Sequence, residues 1–209
     1  MGKITGIAIL IVVLCVAIAI CEPNFYNPTN ILNLTRQIAF LGIYAMGAGI
    51  VIITGGIDLS VGSLMGLLGV FLVMSLRDWE LPVLAGVIIC LGAGSFLGWI
   101  HGFLITRIRL QPFIVTLCAL LLYRGIARYI TGDITKGFGM EYMTFKSLAN
   151  GSLFGLPVPL YIMVVLAIVV GAIVHYSVFG RHLFAVGGNE QAALFSGVSV
   201  VRIKQLAYL

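Results

Sequence analysis

In a chain of 209 residues, 61% are apolar and only 9% charged, at a mean hydropathy of +1.15, whereas a soluble domain carries about 25% charged residues to keep its surface wet. A water-facing surface cannot be built from this composition, which excludes a soluble enzyme or binding module. The formal net charge of +5 rests on basic residues scattered singly between apolar runs, so it reports membrane topology and not a nucleic-acid partner.

The apolar residues gather into runs of about 17 to 23, the length that crosses a hydrocarbon core of about 30 Å at 1.5 Å per residue. Six spans are predicted: Ile4 to Ile20, Ile38 to Ile53, Val61 to Leu76, Val83 to Ile105, Phe113 to Ile130, and Leu160 to Tyr176. A seventh is expected to begin at Leu206. The chain stops at Leu209 inside that last apolar run, with no cap and no polar tail, so it reads as the amino-terminal part of a longer membrane domain. The fold class is all-α, a polytopic transmembrane helix bundle occupying residues 1–209 as one domain.

The first span follows Lys3 and contains Ala17-Ile18-Ala19, which a cleavable signal peptide would also show. Ile20 stands before Cys21, where a lipoprotein signal needs a small residue, and the segment is predicted to stay as an anchor helix. With the N-terminus inside, segments 106–112 and 177–205 are cytoplasmic, and segments 21–37, 77–82 and 131–159 external. Lys3, Arg107, Arg109, Arg181, Arg202 and Lys204 then lie inside, and Arg36, Arg77, Lys136 and Lys146 outside. Trp79 suits an interfacial belt, and 131–159 reads as a glycine-rich polar loop, either a docking site or plain surface. Cys15, Cys21, Cys90 and Cys118 show no metal-ligand spacing and are expected to be small buried residues.

Glycines recur one turn apart in Gly62-xxx-Gly66 and Gly94-xxx-Gly98-xxx-Gly102, which lets neighbouring helix backbones approach closely. Between the second and third spans lies Thr54-Gly55-Gly56-Ile57-Asp58-Leu59-Ser60-Val61-Gly62-Ser63. Paired glycines interrupt a helix, and Asp58 or Ser60 is placed to cap the next one, where the helix dipole favours a carboxylate. Two readings stand side by side. One is a cytoplasmic hairpin turn with a solvated cap; the other is a broken or re-entrant element lining a cavity, since irregular backbone at membrane depth survives only where protein or water satisfies it.

Arg124 and Arg128, one turn apart near the outer end of the fifth span, suit snorkelling to headgroups or contact with a substrate. His101 and His175 lie near the cytoplasmic ends of spans four and six without a paired ligand, which favours interfacial hydrogen bonding over metal binding. In the segment from Phe179 to Val198, Asn189 is placed as an N-cap, Glu190 sits in the first turn and Gly197 follows as a stop. The resulting helix of about two turns carries Gln191, Ala192, Ala193, Leu194 and Phe195 ahead of Ser196. That is too much apolar surface for an idle loop, and it needs a partner in lipid headgroups, its own bundle or another protein.

The strings GGIDLSVGS and GRHLFAVGGNEQAALFSGV, in this order and at this spacing, resemble the permease subunits of ribose, galactose and xylose type ABC importers, whose amino-terminal half spans one to six match. The resemblance implies a monosaccharide-importing permease, multi-pass in the bacterial plasma membrane and working as a dimer with a second permease copy. It implies a periplasmic or lipid-tethered sugar-binding protein outside and a cytoplasmic ABC ATPase inside. On this analogy Gly187, Gly188 and the segment to Gly197 form the coupling helix to the ATPase. Thr54 to Ser63 belong to the packed core near the translocation path. No Walker-type GxxxxGK[ST] sequence is present, so the chain is expected to bind no cofactor and to leave ATP hydrolysis to the partner subunit. The competing function is an ion-coupled secondary transporter or channel with a coupling ion near Asp58 and no ATPase; an intramembrane enzyme using Asp58 with His101 or His175 would require these groups to converge.

Overall fold

The computed structural model describes residues 2–139 and 141–209, without the side chains of residues 2–4 and 23, so the Lys3 side chain lies outside the described residues. The helices in chain order are α1 (Gly2–Cys21), α2 (Pro28–Ile53), α3 (Val61–Arg77), α4 (Val83–Thr106), α5 (Pro112–Thr131), α6 (Met143–Asn150), α7 (Val158–Tyr176), α8 (Val178–Gly188), α9 (Glu190–Phe195) and α10 (Val200–Tyr208). A 3-10 turn, Pro23–Tyr26, joins α1 to α2. Among the described residues α2, α4, α5 and α7 are long and apolar enough to cross a membrane, while the apolar parts of α1 (Thr5–Cys21) and α3 are shorter.

The bundle keeps much of its apolar surface outside. Ile7, Leu84, Leu91, Leu121 and Ile168 are all at least 58% exposed, which in water would drive aggregation and in lipid is the normal condition of a spanning helix. The same inversion corrects the expectation for the cysteines. Cys15, Cys21 and Cys118 are exposed and Cys90 half-buried, all four as free thiols, because a small apolar side chain is as well solvated by lipid as by protein.

Within the bundle α3 packs between α4 and α5, α2 packs along α7, and α10 packs along α4. Helix ends follow local chemistry. Asn27 Oδ1 accepts the Thr29 amide at 3.0 Å and Pro28 occupies the first turn, so α2 starts ten residues before the predicted span. Gly132 closes α5 in the left-handed conformation at φ 62°.

Two connecting segments contain more structure than expected. The outer 131–159 segment carries α6 and a short antiparallel hairpin, β1 (Ser152–Leu153) with β2 (Leu156–Pro157), a small departure from an all-α chain. The inner 177–205 segment carries α8, started by Ser177 Oγ accepting the Gly180 amide at 3.1 Å. The last helix begins at Val200 and not at Leu206, because Val200, Ile203 and Ala207 form one buried helical face while Arg202 keeps to the other. An average over such an amphipathic segment hides the stripe. Leu183 and Val186 of α8, Ala193 of α9, and Val200, Ile203 and Ala207 of α10 make one buried cluster against Ile50 and Ile53 at the end of α2. The turn from α7 into α8 is tight enough that a Cβ at Gly180 would strike the carbonyls of Ile173 and Val174. Gly180→Ala is therefore expected to destabilise the detergent-solubilised protein by about 1–3 kcal/mol, as overpacking does, while Gly171→Ala, whose Cβ has open space, leaves the thermal midpoint unchanged or slightly raised.

Candidate functional site

The break between α2 and α3 is built by hydrogen bonds. Gly55 at φ 76° donates to Ile52 O, and Gly56 to Val51 O, the paired closure that a left-handed glycine permits. The Thr54 hydroxyl folds back onto Val51 O at 2.7 Å and is buried. Asp58 Oδ1 accepts the Ser60 amide at 2.8 Å and the Ser60 hydroxyl at 2.6 Å. Asp58 thus caps through the residue just ahead of α3, and Ser60, fully buried, makes no cap bond with its own side chain. Ser63 Oγ donates to Ser60 O at 2.8 Å.

The carbonyl of Ile57, which no regular ladder reaches, accepts from Tyr208 Oη at 3.2 Å and from Thr116 Oγ1 at 3.4 Å. Tyr208 comes from α10, where its backbone is pressed against Gly98, and Gln205 against Gly102. Gly98 lies two turns before the end of α4, about 12 Å along its axis, and Thr116 one turn past the start of α5, about 6 Å. Half-buried Asp58 lines a cleft of about 330 Å³ between α2, α3 and α10, beside Tyr44, Gly47 and Tyr208.

His101 and Tyr123 are a second polar pair inside the bundle. They are 2% and 4% exposed, and Tyr123 Oη lies 2.8 Å from His101 Nε2 with the rings stacked at 5.7 Å. His101 does hydrogen-bond, but to a buried tyrosine instead of the interface. His175 is exposed and bonds through Nδ1 to Gly171 O at 2.9 Å. No residue spacing announced Tyr208, Thr116 or Tyr123: each lies in an apolar helical stretch and gains its role from packing.

The glycine stripes divide. Gly98 and Gly102 receive α10, and Gly94 faces Leu68 of α3. Gly62 and Gly66 meet nothing at Cβ distance; they open with Ser63 onto a cleft of about 420 Å³ shared with Arg124, Ala127 and Arg128 of α5. Beside them on α3, Leu67 packs against Ala119 and Tyr123 of α5. Arg124 and Arg128 are exposed. The Arg128 guanidinium bonds Asp133 Oδ1 at 2.5 Å and holds that carboxyl below its ordinary value.

On the opposite side Asn189 Oδ1 accepts the Ala192 amide at 3.0 Å, Glu190 occupies the first turn of α9, and Gly197 follows it at φ 82°. Ser196 Oγ returns to Ala192 O at 2.9 Å. Glu190 Oε2 lies 2.5 Å from Lys204 Nζ of α10, and Ala193 is buried while Leu194 and Phe195 are 55% and 86% exposed. Gly187, at the end of α8, sits against Ile53 O and Thr54 Cα, and Gly188 has open space. A cleft of about 570 Å³ runs between Glu190, Gln191, Leu194 and Lys204 on one side and Ile105, Arg109 and Pro112 on the other.

An apolar multi-helix bundle with a hydrogen-bonded break inside and a short capped helix at one end defines a membrane permease. Residues 30–209 match the family described as branched-chain amino acid transport system / permease component, and the chain belongs to it. It is 39% identical over 209 residues to the ribose import permease protein RbsC of Bacillus subtilis, covering all of this chain and 63% of that protein. It is 34% identical over 202 residues to RbsC of Escherichia coli, covering 96% of this chain and 63% of that one. It is 35% identical over 204 residues to the L-arabinose transport system permease protein AraH of Escherichia coli, covering 98% and 61% respectively. The chain therefore spans less than two thirds of the length of these relatives. No solved structure matches it.

Tyr123→Phe would leave a buried imidazole nitrogen without its partner, and is expected to cost about 1–2 kcal/mol of bundle stability, the range for side-chain hydrogen bonds between membrane helices, read by denaturant unfolding in mixed micelles. The Arg128–Asp133 pair is expected to be fully formed above the ordinary carboxylate pKa of about 3.9. Because the folded value is depressed, its contribution is lost only as pH falls further, through that lowered value; titration of the Asp133 carboxyl carbon by NMR checks the sign.

Proposed function

We propose that the chain is the transmembrane permease subunit of an ATP-driven importer for a monosaccharide, in the bacterial inner membrane. The observation that carries this reading is α9: a capped, six-residue helix that buries Ala193 on its own bundle and leaves Leu194 and Phe195 exposed beside the loop from Ile105 to Pro112. An exposed Phe and Leu on a rigid support are the anchors of an interface, and the relatives named as ribose import and arabinose transport permeases support a cytoplasmic ABC ATPase as the partner. The chain transports and does not itself catalyse; hydrolysis belongs to the partner. A sugar-binding protein delivers cargo at the outer face, and a second permease copy completes the path.

In this reading α1 to α5 and α7 are six spans, with α10 the start of a seventh. The 54–63 element is a helix break within the membrane and not a hairpin at its surface. What supports this is that the Ile57 carbonyl accepts from a side chain, Tyr208 Oη at 3.2 Å, whose backbone rests on Gly98 two turns into α4, and that it lies beside Thr116 one turn into α5. A loop in water would need neither. An ion-coupled transporter would use Asp58 as an ion ligand, but its Oδ1 is engaged by Ser60, and the named relatives do not favour it.

Leu194→Asp with Phe195→Asp is expected to leave membrane insertion intact and to weaken co-purification with the cognate ATPase about thirtyfold, the effect of losing an aromatic anchor. Undiminished ATPase binding in the double variant, or uptake in proteoliposomes that follows an ion gradient without ATP and is abolished by Asp58→Asn, would overturn the reading.

A further inference from the structure

We propose that α10 is a rigid strut joining the coupling helix to the helix break, with Tyr208 as the positioning residue that latches its inner end onto the Ile57 carbonyl. The inference rests on the reading of α9 as the coupling helix. At one end Lys204 pairs with Glu190 at 2.5 Å, and buried Ala193 packs in the cluster with Val200, Ile203 and Ala207. One helical turn further on, Tyr208 Oη donates to Ile57 O at 3.2 Å and lies against Gly56, where a Cβ would strike it. Both elements are therefore fixed to the same nine-residue helix.

Two features make this link stiff. The backbone of α10 lies directly on Gly98 and Gly102 of α4, through backbone atoms alone at Gly98 and with the Gln205 Cγ beside them at Gly102, so little of a displacement of α10 can be absorbed by rotamer changes on that side. The end of α8 bears on the end of α2, with Gly187 against the Ile53 carbonyl, but in that contact reaches no residue beyond Thr54. A push on α9 thus arrives at residues 56–60 as a shift of Tyr208, and the bond to Ile57 is its only direct hydrogen bond onto that segment among the described residues. The Asp58–Ser60 cap follows within one residue. Loss of the latch leaves the Ile57 carbonyl with only the Thr116 hydroxyl nearby, at 3.4 Å, and that hydroxyl lies closer to the Pro112 carbonyl, at 2.8 Å, so the break opens locally without unfolding the bundle.

The test is hydrogen–deuterium exchange of the chain in lipid nanodiscs, without ATPase, so that its failure is separate from failure of the coupling-helix reading. Tyr208→Phe is expected to raise exchange of amides 56–60 about fivefold, the equivalent of one hydrogen bond in opening free energy, with α5 and α7 unchanged. Glu190→Lys should raise the same amides about twofold, an exposed pair being weak, and Glu190→Lys with Lys204→Glu should restore protection by restoring the pair. The Tyr208→Phe, Glu190→Lys double variant should exchange no faster than Tyr208→Phe alone, because both act through one link. Exchange that rises only within α9 on Glu190→Lys, additive effects in the double variant, or a swap that fails to restore protection at 56–60 would overturn the strut. In the reconstituted assembly Tyr208→Phe is expected to retain ATPase binding while lowering transport per ATP hydrolysed; loss of binding instead would also overturn it.

Discussion

The structure depends on one requirement, that every backbone carbonyl and amide shut away from water must find a partner within the protein. Regular helices meet it by themselves, and the apolar spans need no further explanation than length. Between the end of α2 and the start of α3, residues 54–60 leave the helical ladder, and turns and side chains take up several of their polar groups. Gly55 and Gly56 close the end of α2, Asp58 takes the Ser60 amide and hydroxyl, and Tyr208 donates to the Ile57 carbonyl. Two helices far apart in sequence meet at this seven-residue interruption, α10 through Tyr208 and α5 through Thr116, whose hydroxyl lies 3.4 Å from the Ile57 carbonyl.

The convergence also sets where glycine is required. Gly98 and Gly102 bring α10 to within backbone contact of α4, and only at that separation does the Tyr208 hydroxyl come within reach of Ile57. At Gly62 and Gly66, by contrast, a Cβ would meet none of the described residues, and both open onto a cleft shared with Arg124 and Arg128. A small-residue stripe thus has two different uses in one bundle: close packing where a helix arrives, and open space where none does.

The inner face has a second logic. Buried residues of α8, α9 and α10 tie three short helices to the end of α2, so the exposed pair Leu194 and Phe195 is presented on a supported surface and not on a loose loop. The last of these helices, α10, continues from that mounting to the helix break, where Tyr208 donates to the Ile57 carbonyl.

The apolar helices, the paired-glycine interruption and the α9 boundaries were legible in the chain, because each depends on residues within a few positions of one another: a run of apolar residues makes a lipid-facing helix, Asn189 and Gly197 bound a short one, and Gly55 permits the left-handed turn. The roles of Tyr208, Thr116 and the His101–Tyr123 pair were not. Each partner lies tens of residues away or more in sequence, and an aromatic or threonine in an apolar run looks the same whether it faces lipid or a buried carbonyl. The helices α8 and α10 were hidden for an intermediate reason, as their apolar stripes are amphipathic and disappear in an average. Local spacing determined where helices start and stop; which faces meet, and therefore which polar groups are satisfied, was decided only when the helices packed.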